Sequence, residues 1–161
     1  MKKLLPVLRY KGVEYIEFEK LNKHNVKGIL LDVDNTLIDY QRNLSDKVVN
    51  WVKEAKKRGF KICILSNSSR EDKIKKVANT LELEYIMFAR KPLQVGFKKA
   101  AKLLDLKAEN IAMVGDQVFT DVLGANIANM ISVYVDPINK KEYWYTSWKR
   151  PIEELILKKV R

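Results

Sequence analysis

Short runs of Ile, Val and Leu recur along the chain from Lys27 onward, each followed by a longer segment with apolar residues at helical spacing. This alternation narrows the fold more than any other feature. Near-continuous apolar runs suit strands buried on both faces, and parallel strands need helical crossovers to bring the chain back. The pattern therefore predicts an α/β architecture, a parallel sheet of about five strands wrapped by helices. Candidate strands are Gly28 to Val33, Phe60 to Leu65, Tyr85 to Phe88, Asn110 to Val114 and Ile131 to Val135, with the first two central because they are nearly all apolar. Between them, Ser45 to Arg58 places Val48, Trp51, Val52 and Ala55 on one helical face, with Ser45 or Asp46 as cap and Gly59 as stop. Further helices are expected from Glu71 to Leu81 after a Ser69 cap, from Val95 to Leu104 after Pro92, and from Thr120 to Asn129.

With 161 residues, 47% of them apolar, the chain reads as one domain with its own core. The repeating core spans about 27–136, preceded by an extension, 1–26, and followed by a basic, aromatic segment, 137–161, that holds Tyr143, Trp144, Tyr145 and Trp148. No apolar stretch approaches the roughly 20 residues of a membrane span, and the first residues lack the pattern of a secretory signal. The lone Cys63 sits in the apolar run Ile62-Cys63-Ile64-Leu65 and is expected to pack as a small hydrophobe, in keeping with a reducing cytoplasm. His24, on a charged segment, is assigned no role.

The net charge of +11 points to an anionic partner, whether nucleic acid, a phospholipid surface or a phosphorylated substrate. The ends contribute much of it, with seven Lys/Arg against three Glu in both 1–27 and 138–161. Charge by itself does not choose among these partners, and lysines scattered on helix faces also serve solubility.

Four polar clusters fall where strands end: Asp32-Val33-Asp34-Asn35-Thr36, Ser66-Asn67-Ser68-Ser69, Arg90-Lys91-Pro92, and Gly115-Asp116-Gln117-Val118-Phe119-Thr120-Asp121. Open parallel sheets collect ligands beyond the carboxyl ends of their strands, so the four clusters are expected to converge. Two carboxylates two residues apart at a strand end crowd negative charge that a cation would relieve. Mg²⁺ suits such an oxygen-only set, with Asp116 as a further carboxylate.

In chain order and spacing these clusters resemble the signature motifs of the haloacid dehalogenase superfamily, over Gly28 to about Val135. The resemblance implies a three-layer Rossmannoid fold and an aspartyl-phosphate mechanism. Asp32 would be the nucleophile and Asp34 the general acid and base, its carbonyl also binding Mg²⁺. An aspartate at that second position is similar to the phosphatase branch, whereas the transport ATPases carry threonine there. By the same resemblance Asp32, Asp34 and Asp116 would hold the metal and Asp121 would steady its outer shell. Lys91 would offset charge during transfer, and Ser66, Thr36 and Asn67 would bind and orient the phosphoryl group.

About 30 residues separate Thr36 from Ser66 and about 25 separate Ser66 from Lys91, which leaves no room for a cap domain, and an open site admits bulky substrates. Asp-Val-Asp-Asn-Thr-Leu, Leu-Ser-Asn-Ser, Ala-Arg-Lys-Pro, Val-Gly-Asp-Gln and the early Leu4-Leu5-Pro6 resemble the YqeG branch of subclass IIIA. That branch is similar to the mitochondrial and plastid phosphatidylglycerophosphate phosphatases. The resemblance implies a cytoplasmic enzyme held peripherally at the inner face of an anionic membrane, with Leu4, Leu5, Val7 and Leu8 as a candidate insertion patch. Two alternatives stand beside it: the same chemistry on a phosphoprotein, nucleotide or sugar phosphate, and a nucleic-acid or ribosome-associated module with an idle site. Against the second, the chain carries no helix-turn-helix, RNA-recognition or zinc signature. Oligomeric state is not legible in the sequence.

Overall fold

A computed structural model describes residues 2–140 and 149–160, so the aromatic residues Tyr143, Trp144, Tyr145 and Trp148 lie outside the described residues. The chain forms β1 (Leu8–Tyr10), α1 (Phe18–Lys23), β2 (Gly28–Leu31), α2 (Asp46–Lys57), β3 (Lys61–Leu65), α3 (Glu71–Leu81), β4 (Glu84–Ile86), α4 (Gln94–Leu104), β5 (Ile111–Gly115), α5 (Leu123–Ile127), β6 (Ile131–Val135) and α6 (Arg150–Leu157). All strand pairs are parallel, in the order β1-β6-β5-β2-β3-β4. From β2 the chain winds outward through β3 and β4, then crosses back to lay β5 and β6 on the other side. The switch point therefore falls between β2 and β5, where Leu31 sits opposite Val114 and where parallel sheets open a crevice.

Alternation along the strands divides the core into two layers. Ile29, Leu31, Ile62, Ile64, Ala112 and Val114 face the buried residues of α1, α2 and α3, while Leu30, Cys63, Leu65, Ile111 and Met113 face Phe97, Ala100 and Leu104 of α4 and Ala125 of α5. In α2 the four residues at helical spacing are all buried, the Ser45 hydroxyl accepts from the Val48 N–H at 3.3 Å, and Gly59 follows the helix at φ +91°.

Several local expectations change. The sheet has six strands, and the sixth, β1, comes from the N-terminal segment. Three partly exposed residues carry no apolar run, and β1 is defined instead by its pairing with β6. Leu4 packs against the cluster of Val118, Val122, Tyr134 and Leu157, and Leu8 against the main core, so neither is free to insert into a bilayer. Ser69 does not cap α3: Arg70 occupies that position, and its N–H is taken by the Ser68 hydroxyl at 3.1 Å. The strand expected to reach Phe88 stops at Ile86, because Phe88 turns to φ +49°. The helix expected over 120–129 begins earlier, as a π-helical turn at Val118–Val122 that runs into α5.

Candidate active site

At the end of β2 the ladder continues one residue further, as the Asp32 N–H donates to the Val114 carbonyl at 3.0 Å. The chain then reverses sharply: Asn35 adopts φ +59° and donates its N–H to the Ile38 carbonyl, and the Thr36 and Leu37 N–H groups return to Val33. Asparagine tolerates this left-handed conformation better than other non-glycine residues. The reversal turns Thr36 back under the sheet edge, where its hydroxyl lies 3.3 Å from Asp32 Oδ2 and 3.1 Å from Asp116 Oδ1. Asp116 follows β5, the strand beside β2, and is fully buried.

Lys91 enters from the connection before α4. Its buried Nζ donates to Asp32 Oδ1 at 2.9 Å, to Asp121 Oδ1 at 2.7 Å and to the Leu65 carbonyl at 2.8 Å. Asn67 fixes this connection from the loop after β3, accepting from the Lys91 N–H at 2.7 Å and donating to the Lys91 carbonyl at 3.1 Å. Ser66 is buried beside it, and its Oγ accepts from the Ser68 N–H at 3.1 Å. Asp121 reaches the cluster from the π-helical turn, held by the Gln117 N–H at 3.2 Å. A Cβ on Gly115 would collide with that carboxylate, so glycine is required where β5 ends.

All eight residues singled out in the sequence reach this edge of the sheet, but they separate into a buried group and an outer one. Asp32, Thr36, Ser66, Lys91, Asp116 and Asp121 are buried. The Asp34 carboxylate points away, toward Lys73 of α3 at 2.6 Å, and is half exposed. It lines a cleft of about 660 Å³ together with Asn35, Asn67, Ser68, Arg70, Lys73, Asp116 and others. Asp32 does not line this cleft, but it retains 12% side-chain exposure, and its neighbours Asp34 and Asp116 do line it.

The electrostatics are those of an anionic cluster with two cations. Burial raises the Asp116 pKa well above the ordinary carboxylate range and the Asp32 charge adds to this, with Arg150 opposing. Burial likewise lifts Asp121 to about 7, opposed by the Lys91 charge and reinforced by Asp32. For Lys91 burial acts downward, but Asp121 and Asp32 together overcome it, and its pKa is raised. The lysine is thus held firmly charged.

Oxygens of Asp32, Asp116 and Asp121 lie within 4.8 Å of one another. Thr36 has one hydroxyl proton to offer two of these carboxylates, and among the described residues no cation bridges the pair, Lys91 serving Asp32 and Arg150 serving Asp116. An all-oxygen, buried and charge-rich set of this kind fits a hard divalent cation.

Two participants carry no sequence signal. Arg150 of α6 donates to the Asp116 carbonyl and, at 2.7 Å, to Asp116 Oδ2, and it pairs with Glu153 at 2.9 Å. Buried Glu153 accepts from the Val118 N–H at 3.0 Å, an N–H of the π-helical turn. Both lie more than 30 residues beyond Asp116, within what reads as a merely basic tail.

The family model for haloacid dehalogenase-like hydrolases matches residues 40–129. The chain is 36% identical over 154 residues to the probable phosphatase YqeG of Bacillus subtilis, covering 95% of this chain and 89% of that protein. It is 24% identical over 148 residues to phosphatidylglycerophosphate phosphatase 1 of Arabidopsis thaliana, covering 86% of this chain but only 42% of that longer protein. Among solved structures, the cobalt-bound deoxy-D-mannose-octulosonate 8-phosphate phosphatase YrbI of Haemophilus influenzae superposes with a TM-score of 0.59 at 18% identity, over 86% of this chain and 90% of that one. A protein from Listeria monocytogenes serotype 4b gives the same TM-score and identity over 84% of this chain and all of its own. At that identity the two structures speak for the fold.

Proposed function

The chain belongs to the haloacid dehalogenase-like hydrolase family, and from that premise we propose that it is a Mg²⁺-dependent phosphatase acting through an aspartyl phosphate on Asp32. The observation that carries this reading is the setting of the Asp32 carboxylate: it keeps 12% of its side chain exposed, with Lys91 on one oxygen and Thr36 on the other, and Thr36 also bonds Asp116, which lines the cleft. In the proposed first step an Asp32 oxygen attacks phosphorus in line, the bond to the leaving oxygen breaks, and that oxygen takes a proton from Asp34. In the second, water attacks the aspartyl phosphate while Asp34 takes its proton, which releases phosphate and restores Asp32. Asp34 lies in the cleft two residues past the nucleophile, and it turns from Lys73 to the leaving oxygen for this work. Lys91 and Ser66 hold phosphoryl oxygens, Thr36 orients Asp32, and Asn67 keeps Lys91 in place. Mg²⁺ held by Asp32, Asp116 and the Asp34 carbonyl, with Asp121 steadying the set, would supply the charge neutralisation that lets two anions approach.

For the substrate we propose phosphatidylglycerophosphate. Among the described residues no cap unit covers the cleft, and Arg42, Arg70, Lys73 and Arg150 line it, which suits an anionic phosphomonoester carried on a large molecule. The likeness to the plant enzyme supports the same choice. No helix among the described residues is long and apolar enough to cross a membrane, so this activity calls for attachment at the surface of the lipid. The test is phosphate release from phosphatidylglycerophosphate in mixed micelles, with and without Mg²⁺. Release is expected to need the metal and to fall on the order of 10³-fold or more in Asp32→Asn. Turnover of a sugar phosphate, nucleotide or phosphopeptide in place of the lipid would overturn the substrate; turnover of none of them would overturn the enzyme.

A further inference from the structure

The connection that delivers Lys91 to Asp32 also carries an unusual surface. Phe88, Leu93 and Val95 keep 62, 59 and 73% of their area exposed within eight residues. Phe88 and Arg90 both hold left-handed backbone, at φ +49° and +54°, a conformation that disfavours side chains of their size. Among the described residues the Phe88 ring packs against no core cluster. The connection is folded back on itself, with Ala89 against Gly96 in the first turn of α4 and the Leu93 N–H on the Arg90 carbonyl at 2.8 Å.

The surface continues down α4. Gly96, Phe97, Ala100 and Leu104 are its buried face. The opposite face, at the complementary helical spacing, is Val95, Lys98, Lys99, Lys102 and Leu103, all exposed. From Tyr85 to Leu104 there is no Asp or Glu. Among the described residues no ion pair engages Arg90, Lys98, Lys99 or Lys102. Exposed apolar residues flanking the connection that carries Lys91 thus merge into an acid-free basic helix face, the pattern of an interfacial surface rather than of a solubilising one.

We infer that this flank, Phe88 to Leu103, docks the enzyme on an anionic lipid bilayer, with Phe88, Leu93 and Val95 entering the headgroup layer and Arg90, Lys98, Lys99 and Lys102 meeting its charge. The inference rests on the lipid-substrate reading and adds where the membrane lies. A second copy of the chain is a poorer occupant, because a symmetric contact would bring the same basic rows together. Docking on this face sets the bilayer beside the connection that holds Lys91, which meets the cleft where the Phe88 N–H donates to the carbonyl of cleft-lining Ser68 at 3.4 Å.

Sedimentation with vesicles tests this without any turnover. The full chain is expected to bind vesicles of phosphatidylcholine containing a third phosphatidylglycerol, and to bind pure phosphatidylcholine poorly. Lys98→Glu with Lys99→Glu and Lys102→Glu is expected to weaken binding on the order of 100-fold. Phe88→Ser with Leu93→Ser is expected to weaken it about tenfold or more, while all variants hydrolyse a small soluble phosphomonoester as the unmodified chain does. Unchanged vesicle binding in both variants overturns the proposal, as does a dimer in light scattering that the Phe88→Ser, Leu93→Ser variant abolishes. Vesicle binding without release from phosphatidylglycerophosphate would instead overturn only the substrate reading, and release from micelles without vesicle binding only the docking surface.

Discussion

Thr36 stands between two carboxylates with one proton to give, and the consequence reaches the stability of the whole site. Asp116 and Asp121 both have raised pKa values, chiefly from burial and with the Asp32 charge adding to it, Asp121 to about 7. In an unfolded chain such groups titrate near 4. A carboxyl whose folded pKa is raised favours folding while protonated, and that contribution is lost as pH rises from about 4 through 7. The metal-free protein should therefore lose stability across this window, and a divalent cation should restore it where the carboxylates are ionised. Thermal melts are expected to show a larger gain from Mg²⁺ at pH 8 than at pH 5. An equal gain at both would mean that the cation does not bind this cluster. Lys91 stays charged throughout, so the window belongs to the carboxylates.

Among the elements, α6 has the least conspicuous sequence and a large structural consequence. It supplies Arg150 to Asp116 and Glu153 to the Val118 N–H, and so braces the loop that carries both Asp116 and Asp121. Removing Glu153 leaves the buried Val118 N–H without its acceptor and takes from Arg150 one of its carboxylate partners, Asp116 being another. Glu153→Ala is expected to cost about 2–4 kcal/mol in urea unfolding, and to lower phosphatase activity beyond what the lost stability explains; unfolding at the unmodified urea midpoint would dismiss the brace. The longer helices were legible because a 3.6-residue period survives over three turns: α2 buries Val48, Trp51, Val52 and Ala55 as their spacing requires. The π-helical turn was not legible, because Val118 to Val122 follow the needs of Asp121 and Glu153 rather than a local preference.

For the molecule as a whole, the sheet closes at β1, which shields β6 with a strand of three residues. Phe18 stacks on Trp51 and Phe60, and Asn126 holds the Lys3 and Leu5 carbonyls, so the N-terminal segment is sewn to both layers of the core. Deleting residues 1–10 would uncover β6 as a buried strand with an open edge. The expected outcome is association at micromolar concentration, read by light scattering; a monodisperse product would show that β1 is dispensable. The sequence by itself determined the alternation of strand and helix, the central place of Gly28–Leu31, the interior place of Lys61–Leu65 one strand from the edge, and the four clusters at strand ends, because burial on both faces and phosphate chemistry each demand particular residues at particular intervals. Tertiary structure alone decided that β1 joins the sheet, that Asp34 turns to Lys73, and that Arg150 and Glu153 complete the site. Each of these is a contact between residues about 30 or more apart in the chain or an edge pairing of a few residues. Such contacts are selected by the shape already formed around them, and local sequence carries no period that announces them.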